Sequence, residues 1–191
     1  MSVHESELAG RRRSPKLPLS ISRPALLVDG SDREFRRLIY RMIIAESRLL
    51  DIRKAIARQV GVGGSQYTVM MAILHLEGET GISIGGLADY LEVSGPHITG
   101  EVRKLAALGL VRKSVNPDDM RGVQVRLSVI GRKRLLGAFD HIQQVNDILF
   151  DGVAPDEFRM LAKFNEKFMR STSLALAWTR AWPRTRERPA A

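Results

Sequence analysis

His97, Thr99, Arg103 and Lys104 fall within one eight-residue stretch of helical periodicity, and their side chains share a chemistry. A guanidinium can make a bidentate contact to a guanine edge. An imidazole and a hydroxyl can bond base edges or phosphate oxygens, and an ammonium neutralises a phosphate. At about 100° per residue these groups lie with Pro96 and Gly100 on the side opposite Ile98, Val102 and Leu105. Glycine inside a helix costs about 1 kcal/mol relative to alanine, so Gly100 suits a surface that a ligand backbone must approach closely. Ser94 can accept the free amide hydrogens at the start of this helix, and Pro96 sits in the first turn, where a missing N–H costs little. A second group follows in a charged turn. Arg121 projects near its tip, where a guanidinium suits a narrow minor groove, and Asp119 can hold that guanidinium by a charge-assisted hydrogen bond.

The surrounding pattern explains how these groups are positioned. Ile84, Leu87, Ala88 and Leu91 recur at i, i+3, i+4 and i+7, the buried face of a preceding helix, and Glu92-Val93 makes the turn between the two. Val111 and Val115 border a short strand. Val123, Val125 and Leu127 alternate with Gln124 and Arg126 in the next, with Asn116-Pro117-Asp118 opening the connecting turn and Gly122 helping to end it. The order is helix, turn, helix, β-wing. Such a unit places one exposed helix and one charged hairpin where they can enter neighbouring grooves of a duplex.

Long helical patterns flank this unit. Residues 1–31 read as a basic arm, with Arg11-Arg12-Arg13, Lys16 and three prolines breaking any period. Residues 32–64 hold a long helix, capped by Ser31 or Asp32, whose apolar positions Phe35, Leu38, Ile39, Met42, Leu49, Ile52 and Ile56 exceed what a small winged domain needs to cover itself. Ser65 is expected to cap a short helix to about Leu76, opening the winged domain of residues 65–127. Ser128 is expected to cap a second long helix running through Leu149, and Pro155-Asp156-Glu157 starts another with the stripe Phe158, Leu161, Phe164 and Phe168. Residues 128–173 thus supply further helices for subunit contact, and 174–191 form a tail rich in Trp and Arg. The fold class is mainly α with a small β-wing: a winged helix-turn-helix between dimerisation helices.

Composition narrows the function. Lys+Arg 30 against Asp+Glu 21 gives a net charge of +9, which attracts phosphate-rich partners and makes binding salt-dependent. Cysteine is absent, which removes disulfides, thiolate metal sites and thiol redox sensing. His4, His75, His97 and His141 are scattered and none pairs at i+3 or i+4, so no metal or other cofactor is expected. Gly61-Val62-Gly63-Gly64-Ser65 lacks the lysine of a phosphate-binding loop, and no nucleophile elbow or metal-binding His-Glu pair occurs, so the chain is not read as an enzyme. His97 and Glu101, at i and i+4, read as a surface ion pair. No apolar run spans a membrane and no signal-peptide core is visible, so a cytoplasmic protein is expected.

The segment LADYLEVSGPHITGEVRKLAALGLVRKSVNPDDMRGVQVRLSVIG resembles the MarR family of bacterial transcription regulators. The match lies in the helix, turn and recognition helix, in Gly-Leu-Val at the entry to the wing, and in Asp-x-Arg-Gly within it. The resemblance covers about Ser65 to Arg134 strongly and, by helix order, Asp32 to Arg170 more weakly. It implies a homodimer on a near-palindromic double-stranded DNA operator, with repression the commoner outcome. Asp119 and Arg121 then map onto the wing motif, and Ser94, His97, Thr99 and Arg103 onto the recognition helix. It also implies release by a small anionic or aromatic effector, for which the candidate cleft residues are Arg41, Arg48, Tyr67, Met70, Met71 and His75. Arg41 and Arg48 stand seven residues apart, two turns along one face, where both can meet an acidic ligand. Alternatives are a non-specific architectural nucleic-acid-binding protein and a basic protein held to anionic membranes by its tails. The arm before Asp32 and the tail after Arg170 are longer than the family requires.

Overall fold

Helix α1 (Arg33–Val60) opens the described part of the chain after a single 3-10 turn at Pro24–Leu26. A computed structural model describes residues 17–115 and 122–182, and these fall into two units that meet in sequence between Ala138 and Phe139. Asp32 stands at the N-cap of α1 without capping it. Its buried carboxylate instead accepts the amide of Ser20 at 2.7 Å and the hydroxyl of Ser20 at 2.6 Å, and pairs with Arg36 at 2.8 Å. These bonds hold the Asp32 carboxyl below its ordinary pKa, the Ser20 hydroxyl contributing most. The neighbouring Ser31 hydroxyl accepts the amide of Arg33 at 3.2 Å. Gly61, with φ of 81°, ends α1 in the left-handed region that favours glycine.

The winged segment follows. Helix α2 (Gly64–Leu76) begins one residue before the expected Ser65 cap: Gly63 is the N-cap, and the Gln66 side chain reaches back to accept the Gly63 amide at 2.8 Å. Tyr67, Val69, Met70, Ala72 and Ile73 are all buried, so α2 is covered on most of its circumference and forms the centre of the unit. Strand β1 (Ile82–Ser83) leads into α3 (Ile84–Leu91), capped by Ser83, whose hydroxyl accepts the Gly86 amide at 3.0 Å. Helix α4 (Gly95–Ala107) and strands β2 (Val111–Val115) and β3 (Val123–Leu127) complete the motif. The sheet order is β1-β3-β2, antiparallel throughout, with Val111 opposite Leu127 and Val115 opposite Val123. Leu87, Ile98, Val102, Leu105, Leu110 and Val125 are fully enclosed, whereas Ile84 and Leu91, expected on the buried face of α3, are only half-buried.

Helix α5 (Val129–Leu136) packs against the strands at one tight point. Ser128 caps it, accepting the Gly131 amide at 2.9 Å while donating to the Gly109 carbonyl at 2.6 Å. A Cβ on Gly131 would come within 2.0 Å of the Leu110 carbonyl oxygen, so only glycine fits there. The long helix expected from Ser128 to Leu149 is interrupted. α5 ends at Leu136, the amide of Ala138 turns back to the Leu135 carbonyl at 3.1 Å, and α6 (Phe139–Leu149) starts afresh. Gly137, a weak helix former, sits at the break.

In the second unit α6 is followed by α7 (Pro155–Ala181), started as expected by Pro155 with Glu157 accepting the Ala154 amide at 2.9 Å. α7 continues well past residue 173 and includes Trp178, so this part of the expected tail is helical. Phe164 stacks on Phe168 with centroids 5.4 Å apart. Among the described residues no helix is long and apolar enough to cross a membrane.

Candidate nucleic-acid interface

Helix α4 is held by one face and leaves the other open. Ile98, Val102 and Leu105 have no exposed surface, whereas Pro96, His97, Thr99, Arg103 and Lys104 are exposed and Gly100 is half-buried. The Ser94 hydroxyl accepts the His97 amide at 3.4 Å, so Ser94 serves the helix cap and Pro96 occupies the first turn. The Thr99 hydroxyl donates to the Gly95 carbonyl at 3.0 Å, which leaves its methyl group and its oxygen lone pair for an outside partner. Glycine at 95 and 100 is not demanded by packing. A Cβ at either would meet nothing within 4 Å. Their bareness opens a hollow of about 510 Å³ between Ile84, Pro96, Thr99 and Arg103 on the outward side of α4.

The electrostatic arrangement differs in two respects from the reading of the sequence. His97 and Glu101 do not pair. His97 Nε2 lies 3.1 Å from the Ser65 hydroxyl, while the Glu101 carboxylate, nearly buried, takes Lys104 Nζ at 2.8 Å. The reason is direction: Glu101 follows Ile98 and Val102 toward the core, and Lys104 at i+3 is the nearer cation. Part of the Lys104 charge is therefore answered by Glu101, whereas among the described residues Arg103 forms no ion pair.

The two wing residues Asp119 and Arg121 lie outside the described residues. Of the six candidate cleft residues, Arg41, Arg48 and His75 are exposed and Met71 is half-buried. Tyr67 and Met70 lie in the core, with the Arg53 guanidinium 5.5 Å above the Tyr67 ring. Burial pushes the Tyr67 hydroxyl pKa up, and Arg53 offsets part of that rise. None of the six lines the grooves on either side of α5. Among the described residues no three His, Asp or Glu side chains gather to hold a metal.

Three functional-looking residues escaped the sequence reading. Glu77 is buried and accepts the Leu127 amide at 2.7 Å as well as the Arg132 guanidinium, and Arg126 donates to the carbonyls of Glu79 and Gly78. Their partners are about fifty residues away, and no local pattern signals such a pairing.

A capped helix presenting Arg, His, Thr and bare glycines, packed beside a two-stranded wing, defines a winged helix-turn-helix of the kind that reads DNA. Residues 60–122 match the model of the MarR family, and this segment belongs to that family, whose members are transcription regulators rather than enzymes. No curated protein sequence matches the chain. Among solved structures it is similar to CouR from Rhodococcus jostii RHA1 bound to p-coumaroyl-CoA, with 17% identity, 69% of this chain and 90% of that one covered, and a TM-score of 0.62. It is similar to the S. aureus MepR–DNA complex, with 16% identity, 78% and 99% covered, and a TM-score of 0.60. It also resembles Bordetella bronchiseptica BpsR, whose DNA binding is regulated by 6-hydroxynicotinic acid, with 20% identity, 68% and 91% covered, and a TM-score of 0.57. At these identities the likeness establishes the fold, that of MarR-family DNA-binding regulators.

Proposed function

We propose that this protein is a sequence-specific transcriptional regulator, a repressor of the MarR type, that binds a near-palindromic operator as a homodimer and is released by a small anionic or aromatic ligand. The outward face of α4 carries the reading: Thr99 and Arg103 flank a hollow that only Gly95 and Gly100 keep open. Arg103 reads a guanine edge, His97 and Thr99 contact bases or phosphates, and Lys104 meets the backbone. Arg121, oriented by Asp119, enters the adjoining minor groove.

Two surfaces support the homodimer. Leu38, Tyr40, Ile43, Ile44 and Leu50 on α1 are each at least half-exposed, and Phe158, Met160, Leu174 and Trp178 on α7 are likewise open. Apolar stripes of this extent are covered in a working protein, and a second copy is the occupant that also sets two recognition helices about 34 Å apart. Ligand release is supported by the relatives bound to or regulated by p-coumaroyl-CoA and 6-hydroxynicotinic acid. Arg41 and Arg48, two turns apart, are among the exposed cations of α1 that could meet such an acid.

Purified protein mixed with fragmented genomic DNA and excess competitor tests the proposal. Retention of a few palindromic sites near promoters is expected. Uniform retention would assign the chain to architectural binding instead.

A further inference from the structure

The base of the wing carries a cationic groove separate from the face that reads DNA. Arg112 of β2 and Arg126 of β3 are direct cross-strand partners, so their side chains leave the same side of the sheet with Cβ atoms about 5 Å apart. Like charges placed opposite each other destabilise a sheet unless something offsets their repulsion. Here the groove is reinforced. The carbonyls of Gly78 and Glu79 hold the Arg126 guanidinium, and the buried Glu77 carboxylate holds Arg132 beside it. Lys133 of α5 faces the strands from the other wall of a groove of about 870 Å³. Among the described residues the one ion pair in this groove is Arg132–Glu77, so its charge remains strongly positive.

The position and the lining point to a small ligand. The Arg112–Arg126 rung lies three residues from the Val115–Val123 rung, about 10 Å toward the end of the ladder remote from the connecting turn. The groove shares no residue with the hollow on α4. Its floor is not uniformly polar: Val129 is 75% exposed and Leu136 48% exposed between the cations. Exposed aliphatic side chains beside fixed guanidiniums match a molecule with a charged head and an apolar body.

We propose that this groove binds a small amphipathic anion, a carboxylate or phosphate ester with a short apolar group, its head between Arg112 and Arg126 and its body on Val129 and Leu136. Its service as an effector site rests on the reading of the chain as a ligand-released regulator. The binding itself does not.

Calorimetric titration of the full chain, without DNA, tests the site with hexyl phosphate, hexanoate, inorganic phosphate and hexanol as probes. Hexyl phosphate or hexanoate should saturate at one site per chain, and the tighter of the two identifies the head group. That probe should bind at least tenfold more tightly than inorganic phosphate, and hexanol should not bind. Arg112→Gln, a change at an exposed strand position that also relieves the repulsion with Arg126, should weaken it at least tenfold with a melting temperature no lower than the wild type's, while Arg103→Gln should leave it unaltered. Absence of saturation by both amphipathic anions, or equal losses in the two variants, would overturn the proposal. So would an Arg112→Gln chain that binds the probe normally but shows a shallower salt dependence of DNA binding, since the groove would then be a phosphate-backbone contact. Because DNA is absent from the titration, failure of the site and failure of the regulator reading are told apart.

Discussion

The carboxylate of Glu77 accepts the amide hydrogen of Leu127 at 2.7 Å across fifty residues of chain, inside the protein. The same carboxylate takes the Arg132 guanidinium, so one side chain joins the end of α2 to the end of β3 and the second turn of α5. Its removal leaves a buried N–H without a partner. Glu77→Ala should therefore cost about 2–3 kcal/mol, the penalty of an unsatisfied donor plus the loss of a half-exposed ion pair. Glu77→Gln keeps an acceptor for Leu127 and should cost less than half as much. Urea denaturation of both variants measures the difference, and equal losses would mean that the backbone contact contributes nothing.

The start of α1 makes stability depend on acid. Asp32 has its pKa lowered below 3.8 in the folded chain, chiefly by the Ser20 hydroxyl and amide, with Arg36 contributing. A lowered folded pKa means that the unfolded chain binds the proton more readily. The stabilisation is therefore present above the unfolded value and disappears as pH falls through the folded one. Asp32→Asn should melt below the wild type near neutral pH. The gap should close as the pH falls through the folded pKa, below the ordinary carboxylate value, where both states of the wild type become protonated. A gap that persists unchanged in acid would show that Asp32 acts through shape rather than charge.

Periodicity made most of the winged unit legible. Ile98, Val102 and Leu105, and Leu87 with Ala88, are buried where their spacing put them, and Val111–Val115 and Val123–Leu127 are the strands of the wing. Local chemistry located the Ser94 and Ser128 caps, because a hydroxyl and its amide partner sit three residues apart. Three kinds of feature were not legible. The interruption at Gly137–Ala138 was masked because the apolar spacing runs on through Leu135, Phe139 and Ile142 as if unbroken, and a single glycine is a weak stop signal. The Glu77–Arg132 and Ser65–His97 contacts join residues from different helices, and nothing in either local segment predicts its partner. Burial of Met70 was equally hidden, because a methionine reads alike in a core and in a cleft.

The wing is expected to carry a large share of operator affinity. An arginine in a narrow minor groove gains from concentrated negative potential, and a carboxylate that bonded the guanidinium would reduce the conformational freedom it must lose. Arg121→Ala should weaken operator binding at least tenfold. Asp119→Ala should weaken it nearly as much despite removing a negative charge, a sign opposite to that of simple phosphate repulsion. Fluorescence anisotropy with a labelled operator measures both. Tighter binding by Asp119→Ala would show the carboxylate to be a repulsive bystander.

Gly100 separates stability from recognition. In the interior of α4 a glycine costs about 1 kcal/mol relative to alanine, and a Cβ at this position would meet no atom within 4 Å. Packing therefore gives no reason for the residue, and Gly100→Ala should raise stability by up to about 1 kcal/mol. The same methyl group would fill part of the hollow beside Thr99 and Arg103 and would hold the helix away from the base edges that the proposed interface contacts. A displacement of this kind costs hydrogen bonds worth about 1–3 kcal/mol for a good bidentate pair. Gly100→Ala should thus melt higher than the wild type and bind its operator about tenfold or more weakly. Its binding to random DNA, which rests on phosphate charge, should hardly change. Larger replacements such as Gly100→Leu should deepen the loss without unfolding the chain. If Gly100→Ala is more stable and binds the operator as tightly as before, the hollow is not a contact surface, and Arg103 must read DNA from elsewhere on the helix.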